Sequence, residues 1–224
     1  MTQAAPTMHA AGRQFLFLQG LAGPFFRLLG DALAARGHGV HRVNFHGGDW
    51  LFWRRSGAVN YRGGLAGWPD YLKGLLAGRA ITDIVLFGDC RPLHGAARAI
   101  AAQMRVQVHV FEEGYMRPDW VTLEAGGVNG LSSLPRDPQY YLDTATTLPP
   151  PAPHDAADVG VPTSFARRAR EDLAYNISAM LLRPFFPGYV SHRPWHPVVE
   201  YAGWLRRLAG QKAAARRSNA VRGR

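Results

Sequence analysis

Two adjacent glutamates, Glu112 and Glu113, close a short apolar run in the segment HVFEEGYMRPDW. Carboxylates at the end of a buried strand are candidates for nucleophilic or acid–base catalysis, because burial and neighbouring charges shift their pKa values. Successive strand residues point to opposite faces, so the two glutamates are predicted to occupy different environments. Tyr115 and Arg117 follow at once and supply hydrogen-bond donors beside the pair.

A second segment, FGDCRPLH, places charged and polar side chains where an apolar run meets a helical pattern. Asp89 lies at the predicted strand end, Arg91 at the helix start and His94 in the first helical turn. A cation at a helix N-terminus opposes the helix dipole, so Arg91 favours an anionic ligand at this point. The simpler alternatives are a helix-capping Asp89 and a solvated His94.

A third segment, QGLAGP, contains two glycines ahead of a predicted helix. The N–H groups at a helix start can hold a phosphate or a carboxylate, which makes Gly20 and Gly23 candidate substrate-binding residues. The segment lacks the glycine spacing of a dinucleotide-binding fingerprint. An ordinary tight turn is an equal alternative.

A fourth segment, HGGDWLFW (residues 46–53), is predicted to be a glycine-rich loop running into aromatic residues. Its glycines would permit close approach of a ligand, and Trp50 and Trp53 would offer stacking surface for a sugar ring. The alternative is an Asp-capped turn over local apolar packing. The candidate substrate-binding residues in and beside this segment are Asn44, Gly47, Gly48 and Asp49.

Short apolar runs alternate with helical patterns over the first half of the chain, and this alternation positions the four segments. The runs occupy residues 14–20, 40–45, 81–90 and 106–111, and the helical patterns occupy residues 24–37, 68–78 and 92–104. Helices between short buried strands predict an α/β fold, with a Rossmann-like parallel sheet and flanking helices. Ligands bind beyond the carboxyl ends of such strands, so the four segments are predicted to face one cleft.

The second half of the chain has a different composition. We predict a Rossmann-like lobe over residues 1–143, a Pro/Ala-rich linker over 144–162, and a helical connector with a frayed basic tail over 163–224. Residues 161–224 hold 12 basic and 3 acidic residues, so the net charge of +10 resides mainly there. The apolar residues Trp204, Leu205 and Leu208 lie among these arginines, which suits an anionic membrane surface. A solvated connector is the alternative.

Composition also limits the functional class and the compartment. The single cysteine, Cys90, rules out an intrachain disulfide and fits a reducing compartment. No apolar run reaches the roughly 20 residues needed to span a bilayer, and polar residues interrupt the N-terminal apolar run, so we expect a cytoplasmic protein. We expect no metal, because no His/Cys cluster has metal-site spacing, and no nucleic-acid binding, because a recognisable binding fold is absent.

Several long motifs occur together in one order over residues 14–140: NFHGGDWLFW, WPDYLKGLL, ITDIVLFGDCRPLHGAA and VHVFEEGYMRPDWVTLEAGGVNGLSSLPRDP. In this order they resemble the capsular polysaccharide synthesis/export proteins of the KpsS/LipB type, with weaker similarity over residues 181–208. The resemblance implies the N-terminal lobe of a two-lobed GT-B-type glycosyltransferase. Its implied reaction moves Kdo from the donor CMP-Kdo onto a phosphatidylglycerol-type lipid, without a further cofactor, to start the linker that carries the capsule.

The resemblance also implies roles for individual residues. Related β-Kdo transferases have an acidic pair followed by Gly-aromatic-x-Arg, which matches the segment that begins at Glu112, although their second acid is typically Asp. The implied catalytic carboxylate is Glu112, Glu113 or an aspartate such as Asp89 or Asp49. Asn129, in VNGLSS of the same motif, joins the substrate-binding candidates.

The family pattern continues beyond this chain, which therefore resembles an N-terminal lobe with its connector. We expect a protein on the inner face of the Gram-negative inner membrane, in contact with the anionic phospholipid acceptor and with capsule assembly proteins. The alternative function is a non-catalytic, membrane-associated component of capsule assembly or export.

Overall fold

The computed structural model describes residues 12–114, 120–149, 164–192 and 194–222. One six-stranded sheet is formed by β1 (Gln14–Phe17), β2 (Gly39–Asn44), β3 (Ala58–Asn60), β4 (Asp83–Phe87), β5 (Gln107–Glu113) and β6 (Val121–Ala125). The strand order is β3-β2-β1-β4-β5-β6. The first five strands are parallel, and β6 pairs antiparallel with β5. The predicted α/β class, with a mostly parallel sheet and flanking helices, is confirmed.

Helices also occur among the described residues. They are α1 (Phe25–Ala35), α2 (Gly47–Trp53), α3 (Trp68–Gly78), α4 (Pro92–Met104), α5 (Pro138–Thr147), α6 (Phe165–Leu181) and α7 (Pro197–Arg222). Short 3-10 turns lie at Leu65–Gly67, Asn129–Leu131 and Arg183–Phe185. Proline at the start of α3, α4 and α5 suits a first helical turn, where its missing N–H has no partner to lose.

The two faces of the sheet bury separate apolar clusters, because neighbouring residues of a strand point in opposite directions. Leu16 of β1 packs with Leu72 of α3 and Ala97 of α4 on one face. Phe17 packs with Phe26 of α1 and Trp53 of α2 on the other. The crossover helices therefore lie on both faces, as right-handed connections between parallel strands require.

The structure differs from the sequence-based expectation in five elements. The segment HGGDWLFW is helix α2, so the prediction of a flexible loop is wrong. The strands β3 and β6 were not expected, because one has three residues and the other follows the acidic pair. Helix α7 continues to Arg222 through alanines, which favour helix, so the prediction of a frayed tail is wrong for residues 217–222. Helix α5 likewise continues to Thr147, inside the predicted linker.

The chain divides into two compact units, one up to Val190 and one from Ser191 onwards. The first unit contains the sheet and helices α1 to α6, and the second contains α7. Helix α6 therefore belongs with the sheet, whereas the sequence placed it in the connector. Residues 150–162 of the predicted linker lie outside the described residues.

Candidate functional site

The candidate site is the edge of the sheet where the parallel strands end. From β1 the chain continues to β2 on one side of that strand, and it later returns to form β4 on the other side. The carboxyl ends of β1 and β4 therefore flank a topological switch point, which is where α/β proteins bind ligands. Arg91, at the start of α4, crosses this point and donates a hydrogen bond to the carbonyl oxygen of Gly20 at 3.4 Å. The predicted loops after β1 and β4 therefore meet.

The paired glycines at the start of α2 bring that helix against α6. A Cβ atom on Gly47 would lie 2.1 Å from the carbonyl oxygen of Ser178. A Cβ atom on Gly48 would lie 2.7 Å from the carbonyl oxygen of Tyr175. Real side chains do not tolerate such distances, so the structure gives these glycines a helix-packing role in place of the ligand approach expected from the sequence.

A buried ion pair anchors the start of α2. The Arg42 guanidinium donates to Asp49 Oδ1 at 3.0 Å, and the N–H of Phe45 donates to Asp49 Oδ2 at 3.0 Å. The exposed fractions are 4% for Arg42 and 2% for Asp49, so solvent does not screen the pair. Asp49 is thus a structural carboxylate. The predicted Asp-capped turn is also corrected, because His46 caps the helix.

The side chain of His46 links the end of β2 to α6. Its Nδ1 accepts the N–H of Gly48 at 3.0 Å, so in the neutral ring the proton is on Nε2. Nε2 lies 3.0 Å from the hydroxyl of Tyr175 and 2.7 Å from the amide of Gln19. Because Nε2 carries the proton, the Gln19 amide must turn its oxygen towards His46. That oxygen then also accepts the hydroxyl of Tyr189, which lies 2.9 Å from the amide.

The hydroxyl of Tyr175 completes the network by donating to Asp49 Oδ1 at 3.2 Å. Burial and the nearby Asp49 charge raise the pKa of Tyr175 well above its ordinary value, so it remains protonated. Burial by itself would raise the pKa of Asp49, but His46, Arg42 and the Phe45 N–H together hold that pKa below its ordinary value. The carboxyl edge near β2 is therefore a closed structural network, which we call the α6 clamp: Gln19, Arg42, His46, Asp49, Tyr175 and Tyr189.

Asp89 and His94 have structural contacts on the other side of the switch point. Asp89 is buried and accepts the N–H of Val128 at 2.9 Å, so it holds the segment after β6 and does not cap α4. His94 is fully buried and its Nδ1 donates to the carbonyl oxygen of Gly88 at 2.6 Å. The alternatives of a capping Asp89 and a solvated His94 are both wrong.

The two glutamates are the last two residues of β5. As strand geometry predicts, their side chains lie on opposite faces of the sheet. Glu112 is half-buried, and its Oε2 lies 3.5 Å from the position that a Cβ atom on Gly88 would take. Glu113 is exposed and shares the opposite face with Phe111. Of the two, Glu112 faces the loop between β4 and α4.

The remaining sequence-based candidates are dispersed around this edge. Gly20 and Gly23 line a small pocket with Arg42, Asp49 and Tyr175. Asn44 is buried and donates to Asn60 Oδ1 at 3.0 Å, while Asn129 is exposed in a 3-10 turn. Tyr115 and Arg117 lie outside the described residues.

Sequence reasoning missed Gln19, Arg42, His46, Tyr175 and Tyr189. One signal was available, because Arg42 interrupts the apolar strand VHRVNF, and a charge at such a position requires a buried partner. Tyr175 gave no signal, because nothing in an exposed helical pattern identifies a residue that contacts a strand end 129 positions earlier.

The residues that the structure describes contain no group of three or more His, Cys, Asp or Glu side chains arranged to hold a metal ion. None of the helices within those ranges combines the length and apolar character required to span a bilayer.

Comparison with known proteins identifies a family. The sequence model of a family described as capsule polysaccharide biosynthesis protein matches residues 82–223. The chain is 36% identical over 202 residues to the capsule polysaccharide export protein KpsS of Escherichia coli, covering 90% of this chain and 50% of that protein. It is 34% identical over 185 residues to the capsule polysaccharide modification protein LipB of Neisseria meningitidis serogroups A and B, covering 82% and 44%. The chain spans about half the length of the curated relatives it matches.

Proposed function

This chain belongs to the capsule polysaccharide biosynthesis protein family, and we propose that within it the chain transfers Kdo from CMP-Kdo onto a phosphatidylglycerol-type lipid. The proposal includes a GT-B-type arrangement, in which the sheet unit is one lobe, and a location on the inner face of the inner membrane. Donor, lipid acceptor and capsule assembly proteins would be its partners. Similarity to two capsule proteins supports the biological setting.

The position of Glu112 is the observation that carries the chemical part of the proposal. Asp49 and Asp89 are each only 2% exposed, so neither carboxylate is open to a substrate, whereas Glu112 is half-buried, although its Oε1 accepts the N–H of Glu113 at 3.0 Å. Glu113 lies on the other face of β5. Glu112 is half-buried beside the loop that follows β4, close to the switch point. We therefore assign the carboxylate chemistry to Glu112.

The reaction would proceed by two displacements at the anomeric carbon of Kdo. A Glu112 oxygen attacks that carbon, and the bond to the CMP phosphate breaks with its electron pair leaving on the phosphate. The acceptor hydroxyl then attacks the same carbon and gives its proton to solvent water, while the bond from that carbon to the Glu112 oxygen breaks and its electron pair returns to the carboxylate. Two inversions retain the β configuration, which is the outcome expected for β-linked Kdo from CMP-β-Kdo.

A transfer assay tests this proposal. The purified chain is incubated with CMP-Kdo and vesicles containing phosphatidylglycerol, and the lipid product is measured by mass spectrometry. Glu112→Gln is expected to abolish transfer and Glu113→Gln, as its matched control, to retain most of it. Full activity of Glu112→Gln would overturn the assignment.

A second candidate function is a non-catalytic, membrane-associated component of capsule assembly. The exposed Trp204 and Leu205 of α7, together with Arg206 and Arg207, favour it, because apolar and cationic side chains together suit an anionic bilayer surface. Vesicle binding without Kdo transfer in the same assay would support this function over the first.

A further inference from the structure

Arg91 is a cation at the switch point without an ionic partner. Its side chain is partly buried and forms no ion pair with any of the described residues. The hydrogen bond from its guanidinium to the carbonyl oxygen of Gly20 is 3.4 Å long, whereas about 2.9 Å is typical of N–H···O bonds. Its position at the start of α4 is also unfavourable, because the helix dipole is positive there. The fold therefore leaves the Arg91 charge largely uncompensated.

A second cation, Arg42, adds positive charge beside Arg91. Burial lowers the pKa of Arg42, the Asp49 charge opposes that shift, and the Arg91 charge adds to it. The donors of Arg42 are also incompletely used, since its Nε is buried and has no hydrogen-bond partner in the described part of the chain. Two neighbouring like charges with little water around them repel one another. An anion bound beside them is therefore favoured.

A small pocket lies next to these two cations. Gly20 and Gly23, in the loop after β1, form part of its wall together with Arg27 and Arg42. Arg91 contacts the carbonyl oxygen of Gly20, so its guanidinium lies beside this pocket. The free volume of the pocket is about 10 Å³, which holds one water-sized group such as a phosphate oxygen. A larger ligand would place one oxygen in the pocket and its remaining atoms outside.

The carboxylates near the pocket already have cations of their own. Asp49 accepts from the Arg42 guanidinium at 3.0 Å. Glu171 of α6 lies against the loop after β1, and its Oε1 accepts from Arg167 at 3.1 Å. Neither carboxylate forms an ion pair with Arg91, so the negative charge that Arg91 lacks would have to come from a ligand.

We propose that Arg91 binds the phosphate group of a substrate, with one phosphate oxygen directed into the pocket beside Gly20 and Gly23. This inference rests on the proposed function, because CMP-Kdo and phosphatidylglycerol each carry a phosphate. An arginine suits this ligand, since its guanidinium can donate two parallel hydrogen bonds to phosphate oxygens. Glu112 contacts the same β4–α4 loop from the β5 side, whereas Arg91 contacts the β1 side. The phosphate and the carboxylate would thus flank one loop.

Binding of soluble phosphate compounds tests this inference without requiring turnover. The full chain is titrated with CMP and with glycerophosphoglycerol, the headgroup of phosphatidylglycerol, and binding is followed by the chemical shifts of backbone amides. Cytidine and glycerol, which lack the phosphate, are the matched probes and should bind at least about tenfold more weakly. The phosphate compound that binds more tightly identifies whether the donor or the acceptor supplies the phosphate.

Substitution of Arg91 should weaken binding without lowering stability. Arg91→Gln is expected to raise the dissociation constant of the phosphate compound at least about tenfold, and Arg91→Lys, which keeps the charge, should retain part of the affinity. Because Arg91 opposes the helix dipole and lies near Arg42, Arg91→Gln should unfold at the same or a higher temperature than the unaltered chain. Arg105→Gln removes the same charge at the other end of α4 and, as the matched control, should bind like the unaltered chain.

Three results would contradict a phosphate site at Arg91: no binding of either phosphate compound, equal binding of the probes that lack phosphate, or unchanged affinity in Arg91→Gln. The Kdo transfer assay separates this inference from the proposed function. Arg91-dependent binding in a chain that transfers no Kdo would retain the phosphate site and remove the reaction. Kdo transfer by a chain whose binding does not depend on Arg91 would retain the reaction and remove the site.

Discussion

The two edges of the sheet hold polar clusters of similar composition but of different construction. At the amino edge, Asp83 of β4 is bonded by Arg13 just before β1, by His109 of β5 and by the adjacent Thr82. At the carboxyl edge, the α6 clamp includes Tyr175, which is distant in sequence from the strands. The amino edge is completed by the sheet itself, whereas the carboxyl edge is completed by a helix that packs onto it.

Solvent access separates the two clusters further. The Arg13 side chain is 46% exposed although its partner Asp83 is fully buried, whereas both members of the Arg42–Asp49 pair are buried. A half-exposed cation that loses its partner regains water, and a buried cation does not. The carboxyl edge should therefore be the more sensitive of the two to mutation.

The largest effect should come from deleting one partner of the buried pair. Asp49→Ala leaves the Arg42 charge buried without compensation and is expected to lower the free energy of unfolding by about 3–5 kcal/mol. Asp83→Ala, its counterpart at the amino edge, should cost only about 1–3 kcal/mol, because Arg13 and His109 return to water. Urea denaturation measures both free energies of unfolding. An equal loss in Asp83→Ala would contradict the greater sensitivity of the carboxyl edge.

A methyl group between α2 and α6 should have the next largest effect. Gly47→Ala places a Cβ atom against the carbonyl oxygen of Ser178, so the helices must separate, at an expected cost of about 1–3 kcal/mol. Gly74→Ala in α3 is the control, since no atom lies within 4 Å of its Cβ position and the change should stabilise the protein by about 0.5–1 kcal/mol. Thermal unfolding of both variants should show melting temperatures that move in opposite directions.

The hydroxyl of Tyr175 should contribute less than the ion pair. Tyr175→Phe retains the ring packing but removes one donor from Asp49 and one acceptor from His46, with an expected loss of about 1–2 kcal/mol. Tyr140→Phe on the exposed face of α5 should leave stability unchanged. Native-state hydrogen exchange of α6 amides gives a second measure. Unchanged protection of these amides in Tyr175→Phe would show that the hydroxyl does not stabilise α6.

The smallest effect should be the pH dependence of the two edges. Burial and the Arg79 charge lower the pKa of His41, at the amino edge, below 6.5. The unfolded chain then binds a proton first as pH falls through 6.5, so stability should decline there, and His41→Gln should remove that decline. The pKa of Asp49 lies below its ordinary 3.8, so its contribution is present at neutral pH and is lost only in stronger acid, as pH falls through the folded-state pKa. A denaturation series across pH should separate the two windows.

The sequence was sufficient for the elements with a clear period. The strands β1, β2, β4 and β5 are apolar runs between helical patterns, and α1, α3 and α4 have apolar residues at helical spacing with proline or glycine near their ends. Periodicity is a local property, so it could not predict β3, which is three residues long. It also misled at HGGDWLFW, where two glycines are typical of a loop but here fit against another helix.

For the candidate site, the sequence predicted only which segments lie at the ends of the parallel strands. Strand alternation also correctly separated Glu112 from Glu113. Some carboxylates at this edge are held by hydrogen bonds from residues distant in sequence, as Asp89 is by Val128 and Asp49 by Tyr175. No local pattern contains that information.

The paired glycines of α2 also have a consequence for synthesis of the chain. Gly47 and Gly48 emerge from the ribosome well before Ser178 and Tyr175, the residues that they contact. Contacts of such long sequence separation form late, because the intervening chain must be completed and its loop closed. During translation, the contacts of Gly47, Gly48 and Asp49 with α6 therefore form only once α6 has been made and can dock.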